Sequence, residues 1–358
     1  MNNPAPEAAT FSKLAQGGRY HFLEAGRGLA SLGVLLFHSL SSYPPDSLPK
    51  VLRPLRSLGG YGWLGVYVFF AISGWCIAER IAKGFRINES GHHFVAERFL
   101  RIFPTYWAAL IVMVAIRVAS LPFNSASLAS CFPNGWRGWL GSALLLDPYV
   151  GREPYLVVSW SLVYELGFYL CAGFALMLAL RRIANGTTLF VMGSLMCSLP
   201  WTMHEGSAPW RVLVLWPDFF AGMAAWWAAR RGFRASGFTV LGLMSAMAIL
   251  RPDLWGIGRM TAIGTAWVLA FAYSWDVRLA KAPIMYPLIW AGGISYSLYL
   301  IHVPIVTPLE HMMGRWIPCS SSWFSIVWIA AVLAALIGAR CLNRFVEAPV
   351  ERWRRRAV

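Results

Sequence analysis

Apolar runs long enough to cross a bilayer recur along the whole chain, and this pattern most constrains the fold. A transmembrane helix needs about 20 mainly apolar residues. Such runs are found at 22–41, 61–81, 100–120, 155–180, 187–204, 210–229, 236–251, 257–275, 284–307 and 322–345. We therefore predict an all-α integral membrane protein with about ten transmembrane helices. Because the first run contains charged residues and no small-residue cleavage pattern follows it, we interpret it as a spanning helix rather than a signal peptide.

The composition agrees with lipid as the solvent for this chain. Hydrophobic residues make up 58% of the 358 positions and charged residues 13%, about half the charged share of a soluble domain. The net charge of +15 would suit nucleic acid. The basic residues, however, lie in short clusters between the apolar runs rather than in one patch, as in membrane loops. We therefore expect membrane lipids, and no nucleic acid, as partners.

The distribution of lysine and arginine predicts the orientation. Most of the 31 Lys and Arg residues fall in segments that are cytosolic if the N-terminus is cytosolic. Since positively charged loops stay in the cytosol, we predict that both termini are cytosolic. The chain then divides into a cytosolic segment at 1–21, a transmembrane domain at 22–345 and a basic tail at 346–358. We interpret the tail as an anchor on the inner leaflet.

The cysteine pattern gives no indication of a metal site. The six cysteines form no C-x-x-C pair and show no zinc spacing. Cys131 and Cys319 fall in predicted outside loops, where a disulfide between them is one option.

Ionisable residues inside predicted helices are the first candidates for function, because a charge in lipid is costly. The first helix contains Glu24, Arg27 and His38. Arg27 and His38 share one face, about 16 Å apart along the axis, and Glu24 is one turn from Arg27. An arginine can bind a phosphate group, and an imidazole can take a proton from a hydroxyl. A structural ion pair with an interfacial histidine explains the same residues, and the helix alone does not decide.

Three later helices add polar candidates. Arg98 and Arg101 open the third helix one turn apart, as a polyanion site or as a positive flank. Glu165 in the fourth helix either orients a substrate hydroxyl or pairs with an arginine. The ninth helix contains hydroxyl groups and a histidine that either pack against neighbouring helices or serve a substrate: Ser295, Tyr296, Ser297, Tyr299 and His302.

Taken together, six motifs resemble the membrane-bound acyltransferase-3 family, in the family's order and over nearly the whole chain. They are Leu23-Glu24-Ala25-Gly26-Arg27-Gly28 through His38, Gly62-Trp63-Leu64-Gly65-Val66 through Phe69 to Gly74, Arg98-x-x-Arg101-Ile-Phe-Pro104, Trp160-Ser161-Leu162 to Glu165 with Phe168-Tyr169, Ile294 to His302 with Pro304, and Val346-Glu347-x-Pro349. The chain departs from the family pattern at Glu24, usually aspartate, at Tyr67, usually acidic, and at Leu166 and Gly167, usually glutamate and glutamine.

The resemblance implies a function for the transmembrane domain. Family members transfer an acyl group, often acetyl from acetyl-CoA, to a hydroxyl of a carbohydrate or another acceptor, and they have a ten-helix core. We therefore expect acyl-CoA as a co-substrate, no bound cofactor, and a glycan or lipid-linked oligosaccharide as acceptor. The chain is similar to stand-alone members that modify exopolysaccharide, lipopolysaccharide or capsule, which predicts a multi-pass protein of the bacterial inner membrane.

The same resemblance leads to a hypothesis for the site. The nucleotide end of acyl-CoA would lie against Arg98 and Arg101, with Arg27 nearby, and the pantetheine arm would extend between helices toward His38. His38 would act as general base or as a transient acyl carrier, with Glu165 or Glu24 orienting it. Further groups are candidates for acceptor binding or for stabilising an oxyanion: Ser161, Tyr296, Ser297 and His302.

Two alternatives stay open from the sequence. An acyltransferase for a small hydroxylated molecule would carry the same motifs. A carrier or flippase of lipid-linked sugars would also place charges inside about ten helices, and it would show inverted repeats with helix breaks at matching positions. The sequence shows no such internal symmetry.

Overall fold

In the computed structural model, helices are the only regular secondary structure among the residues that it describes, which are 20–41, 43–123, 127–150, 152–177, 214–230, 232, 234–314 and 317–357. The α-helices in these ranges are α1 (His21–Leu40), α2 (Arg53–Gly59), α3 (Gly65–Arg86), α4 (Gly91–Ser120), α5 (Gly135–Leu144), α6 (Trp160–Met177), α7 (Trp216–Ala228), α8 (Arg234–Leu250), α9 (Pro252–Ala272), α10 (Asp276–Lys281), α11 (Tyr286–Gly293), α12 (Ser295–Gly314), α13 (Ser322–Leu342) and α14 (Ala348–Ala357). The prediction of an all-α fold is confirmed for this part of the chain.

Several helices have the length and composition of membrane spans. Five stretches in the described residues qualify: Arg53–Arg86, Gly91–Phe123, Val157–Phe174, Pro252–Lys281 and Ser322–Arg354. A sixth results if α11 and α12 are counted as one bent span. Several such helices in one chain are typical of a multi-pass membrane protein. Ten spans and cytosolic termini stay predictions, since the run at 187–204 lies outside the described residues.

The first predicted spanning helix forms as α1 but is not among these stretches. Its charged residues and histidines lower its mean hydropathy, and such residues in a membrane helix usually face protein or a cavity. α1 packs against α3, α11 and α12. Its polar face therefore looks into the protein, where the candidate site lies.

The predicted ninth helix, 284–307, is wrong as one continuous element. It breaks at Ile294, and its two halves, α11 and α12, are bent by 70°. Glycines explain how α11 approaches α1: a Cβ at Gly292 would lie 1.9 Å from the carbonyl oxygen of Glu24, and one at Gly28 would lie 1.9 Å from that of Leu288. Such backbone contact between helices is typical of small residues in membranes. α11 thus runs along α1, and α12 continues from the break in another direction while still packing against α1.

The centre of the fold is α7, whose residues Trp216–Ala228 are all buried. It packs against α3, α8 and α9. The approach of α7 to α3 is as close as that of α11 to α1, because a Cβ at Gly222 would lie 1.7 Å from the carbonyl oxygen of Ala71. The rings of Phe168 and Phe219 stack with centroids 4.5 Å apart and join α6 to this core.

The C-terminal segment is a helix held against the bundle. A π-helical turn, Asn343–Glu347, leads from α13 into α14. Arg354 on α14 donates hydrogen bonds to Glu97 (2.8 Å) and to Glu351 (2.7 Å). This anchoring places one face of α14 beside α4.

The two cysteines considered for a disulfide, Cys131 and Cys319, are both free thiols in the structure, and Cys131 is buried. Cys131 precedes the short helix α5 in the connection between α4 and α6.

Candidate active site

A cavity of about 720 Å³ lies among α1, α3, α4, α6, α11, α12 and the turn from α13 into α14. Its wall combines guanidinium, carboxylate and hydroxyl groups with aromatic rings. Its size is that of a small-molecule site, for which about 300–1,000 Å³ is usual.

Helix α6 gives the cavity its direction. Ser161, Glu165 and Tyr169 are spaced four residues apart on one face, and all three line the cavity over about 12 Å of helix. At one end the Ser161 hydroxyl lies 2.7 Å from that of Tyr299. At the other, the Tyr169 ring lies 5.6 Å from the Arg98 guanidinium carbon. We call these the tyrosine end (Ser161, Tyr299) and the basic end; the latter comprises Arg98, Arg101, Arg340 and Arg352.

The guanidinium groups at the basic end fall into two kinds. Arg98 is 8% exposed, lies 3.2 Å from Glu97 and packs on the rings of Phe94 and Tyr169. Three others line the cavity and, within the described part of the chain, make no hydrogen bond and no ion pair within 4 Å: Arg101, Arg340 and Arg352. The carboxylates of Glu165 and Glu351 act on Arg101 at longer range. Guanidinium groups without protein partners can donate charge-assisted hydrogen bonds to phosphate.

Arg27 lies on the cavity wall beside Glu24, as the spacing in the sequence predicts. Its Nη1 is 3.5 Å from Glu24 Oε1, and its Nη2 donates to the sulfur of Cys76 at 3.3 Å. The prediction of an ion pair between Glu24 and Arg27 is therefore confirmed. This pair partly neutralises the charge of Arg27 on the cavity wall.

Glu165 lies in the middle of the wall. Its Oε1 accepts hydrogen bonds from the Ser73 hydroxyl (3.1 Å) and from the Tyr169 hydroxyl. Among the described residues, neither Glu165 nor Glu24 is hydrogen-bonded to His38. The structure thus places both carboxylates in the cavity and apart from the histidine that they were predicted to orient.

The tyrosine end is closed by side chains from three helices. The Tyr299 hydroxyl donates to the carbonyl oxygen of Val158 at 2.8 Å and contacts Ser161. The Phe69 ring lies against Tyr299, with centroids 5.9 Å apart. Beyond these groups, on the side away from the basic end, lies a second layer of side chains.

That layer holds a histidine pair. His302 follows Tyr299 by one turn of α12, and its Nε2 lies 3.2 Å from Nδ1 of His38 on α1. The Nδ1 atom of each ring also faces a carbonyl oxygen of its own helix, Val34 for His38 (3.0 Å) and Leu298 for His302 (2.9 Å). His302 is 1% exposed and His38 is half-buried, and neither lines the cavity.

The remaining predicted residues are engaged with protein groups. Tyr296 lines the cavity, and its hydroxyl donates to the carbonyl oxygen of Ile102 at 2.8 Å. Ser297 is fully buried away from the cavity and donates to Glu347, which also accepts from the Asn343 amide at 3.0 Å. These bonds tie α12 to the π-helical turn.

Sequence reasoning missed Arg340 and Arg352 as site residues. Arg340 lies near the end of the last predicted spanning run and Arg352 in the predicted basic tail, and only the packing of α13 and α14 beside α4 brings them to the cavity. The match at Glu347 to the sixth motif was the one signal pointing to this region. Within the described residues, no group of three or more His, Cys, Asp or Glu side chains could hold a metal ion.

Comparison with known proteins identifies the family of this chain. A family model described as an acyltransferase domain matches residues 20–342. The chain belongs to the acyltransferase-3 family. The resemblance that its motifs carry is therefore confirmed. No solved structure matches the chain.

Three acyltransferase-3 relatives illustrate the range of similar proteins. Peptidoglycan O-acetyltransferase OatA of Listeria monocytogenes is 25% identical over 327 residues, 81% of this chain and 51% of that protein. O-acetyltransferase OatA of Staphylococcus aureus strain NCTC 8325 is 24% identical over 377 residues, 92% and 57% of the two chains. Exopolysaccharide production protein ExoZ of Rhizobium meliloti is 27% identical over 324 residues, 81% and 90%. The chain thus spans about half the length of the OatA proteins and most of ExoZ.

Proposed function

We propose that this chain is a membrane O-acyltransferase of the inner membrane. It moves an acyl group, in the first place acetyl, from cytosolic acyl-CoA to a hydroxyl of a cell-surface or exported polysaccharide or lipid-linked glycan. The observation that carries the proposal is a cavity leading from three unpaired guanidinium groups toward a histidine pair, in a chain of the acyltransferase-3 family. The names of the relatives, an O-acetyltransferase of peptidoglycan and an exopolysaccharide production protein, support an acyl group and a glycan.

The basic end suits the phosphate groups of a coenzyme A thioester. Arg101, Arg340 and Arg352 offer donors that no protein carboxylate occupies in the described residues, and phosphate is a strong acceptor for guanidinium. The positive-inside pattern supports a cytosolic location for this end. The pantetheine arm then extends along Glu165 toward Tyr299, which brings the thioester to the tyrosine end.

The acyl group and the acceptor meet at His38. The acceptor hydroxyl oxygen attacks the thioester carbonyl carbon and gives its proton to His38. The carbon–sulfur bond breaks, and the departing thiolate takes that proton as the free thiol, so that no other reactant is needed. Exclusion of water by the surrounding helices limits hydrolysis of the donor.

The Tyr299 ring lines the cavity, and its centroid lies 6.1 Å from that of His302, which does not line it. We infer that access from the cavity to the histidine pair needs movement of Tyr299. Rotation of this side chain breaks two hydrogen bonds, to Val158 and Ser161. We infer that binding of acyl-CoA displaces the Tyr299 side chain. Without bound acyl-CoA, Tyr299 would then keep the cavity closed toward the two histidines.

The break at Ile294 is a feature that carriers also use. Membership of a family described as an acyltransferase domain favours the enzyme. Substrate exchange across the membrane without covalent change would instead indicate a carrier.

The test compares strains that express the wild-type protein, His38→Ala or His92→Ala at matched membrane levels. His92 is an exposed histidine at the start of α4 and serves as the matched control. Ester-linked acyl groups on purified surface polysaccharide are quantified by proton NMR. We expect the ester in wild type and His92→Ala and its loss in His38→Ala. Equal ester in His38→Ala, or none in any strain, would contradict glycan acylation and direct the search to a small-molecule acceptor.

A further inference from the structure

The hydrogen-bond partners of His302 determine which of its nitrogens carries hydrogen. Its Nδ1 lies 2.9 Å from the carbonyl oxygen of Leu298, which can only accept. Nδ1 must therefore be the donor. In the neutral ring Nε2 is then left with a lone pair, and this atom points at His38.

The same reasoning settles His38. Its Nδ1 lies 3.0 Å from the carbonyl oxygen of Val34 and 3.2 Å from Nε2 of His302. Both neighbours are acceptors, so Nδ1 of His38 must carry the hydrogen that they share. The Nε2 atom of His38 is then unprotonated, and it has no hydrogen-bond partner among the described residues.

From this geometry we propose that His302 is a positioning residue for His38. By accepting from Nδ1, it fixes the tautomer and the ring orientation that leave Nε2 of His38 free to take the proton of the acceptor hydroxyl. The inference rests on the proposed function and adds a role for the second histidine, for which the sequence left helix packing, acceptor binding and oxyanion stabilisation open. A base oriented by a third group is the general arrangement of nucleophile-activating sites.

Burial separates this role from direct catalysis by His302. The residue is 1% exposed, and its two nitrogens are both engaged, one with Leu298 and one with His38. No nitrogen is left to meet a substrate. His38 is half-buried and has a free nitrogen, so the division of roles follows from exposure and hydrogen bonding together.

The hydrogen bond between His38 and His302 also stabilises His38 during the reaction. When Nε2 of His38 takes the proton, the ring becomes a cation, and its Nδ1–H bond to the His302 lone pair becomes charge-assisted and stronger. His302 thus stabilises the imidazolium until the proton passes to the thiolate. Its contribution appears in the transition state and not in donor binding, since the donor arginines lie at the far end of the cavity.

The kinetic test uses His302→Gln and His302→Leu in the full-length protein in nanodiscs, with acetyl-CoA and purified polysaccharide. The amide oxygen of glutamine can accept from Nδ1 of His38, whereas leucine cannot. We expect kcat to fall roughly 10- to 100-fold in His302→Leu, part of the 10²–10⁴-fold that a general base supplies. KM for acetyl-CoA should be unchanged, and His302→Gln should stay within a few-fold of wild type. Wild-type kcat in a folded His302→Leu would overturn the proposal.

A second measurement does not depend on activity. Nitrogen-15 NMR of protein labelled at its seven histidines distinguishes protonated from unprotonated ring nitrogens, and His38→Ala identifies the His38 signals. We expect a single Nδ1–H tautomer of His38 in wild type and His302→Gln, and a mixture in His302→Leu or, if leucine prevents folding, in His302→Asn. An Nε2–H tautomer in the wild-type protein would overturn the inference. The expected tautomers in a protein without acyl transfer would support the positioning role while removing the proposed function.

Discussion

The hydroxyl of Tyr299 lies 2.7 Å from the hydroxyl of Ser161, and this contact closes the cavity one helical turn below His302. The Tyr299 hydroxyl also donates to Val158. The cavity and the histidine pair are thus adjacent but separate compartments.

Removing the tyrosine contact should uncouple the donor from the acceptor. Tyr299→Phe keeps the ring but loses both hydrogen bonds, and Tyr299→Ala removes the ring. We expect release of free CoA thiol without acceptor to rise in Tyr299→Phe and further in Tyr299→Ala, because water reaches the thioester. A thiol reagent measures the release. Tyr286→Phe is the control, since Tyr286 is 55% exposed and lies off the cavity; equal hydrolysis in all variants would argue against the closure.

Arg101 and Arg98 should differ in what they support. Arg101→Gln removes an unpaired guanidinium, so we expect the Kd for CoA to rise about 10- to 100-fold, as for a lost charge-assisted hydrogen bond. Arg98→Gln should mainly lower the unfolding temperature, because Arg98 is buried against Glu97 and Tyr169. Its effect on the Kd for CoA should be smaller than that of Arg101→Gln.

Titration calorimetry with CoA in detergent and thermal unfolding separate the two effects. Arg278→Gln is the control for charge, as Arg278 is exposed and packs on Trp275 away from the cavity. An unchanged Kd in Arg101→Gln would exclude Arg101 from the donor site.

The contact between α1 and α11 should tolerate no side chain at Gly292. In Gly292→Ala the new Cβ would lie 1.9 Å from the carbonyl oxygen of Glu24, so the helices must separate. We expect a loss of about 1–3 kcal/mol, typical of overpacking, measured as a lower unfolding temperature. The neighbouring Gly293→Ala is a matched control because its Cβ would meet nothing within 4 Å. Equal stability of both variants would contradict the close contact.

The turn between α3 and α4 should lose stability in acid. Burial alone would raise the pKa of Glu89, but hydrogen bonds from Arg80 and His93 outweigh it and hold that pKa below its usual range. A depressed carboxyl pKa stabilises the fold above the unfolded-state value, near 4.3, and the stabilisation is lost as pH falls through that value toward the folded pKa.

We therefore expect wild type to unfold at a higher temperature than Glu89→Gln at about pH 6, with the difference shrinking toward about pH 3.5. Thermal unfolding in detergent across this range measures it. Glu153→Gln, at an exposed glutamate, should show no such trend. A difference that stays constant with pH would assign the effect to something other than ionisation of Glu89.

Local spacing allowed part of the site to be predicted. Glu24 and Arg27 are one turn apart, and they form the predicted pair because helical geometry fixes their separation. The break at Ile294 was not predictable in this way. The run 284–307 contains no Asp, Glu, Lys or Arg and is long enough to span a bilayer. The bend occurs beside the contact between Gly292 and the backbone of α1, which lies more than 260 positions earlier.

The amino-acid sequence by itself determined the all-α membrane class, the family and the identities of most polar residues in the site. These follow from helix length, apolar composition and motifs, which are local properties of the chain. Only the tertiary structure decided which of those residues meet. His38 and His302 are 264 positions apart and are in contact because α12 packs against α1. Arg101, Arg340 and Arg352 share a cavity because α13 and α14 pack beside α4, and no local pattern specifies a contact between distant helices.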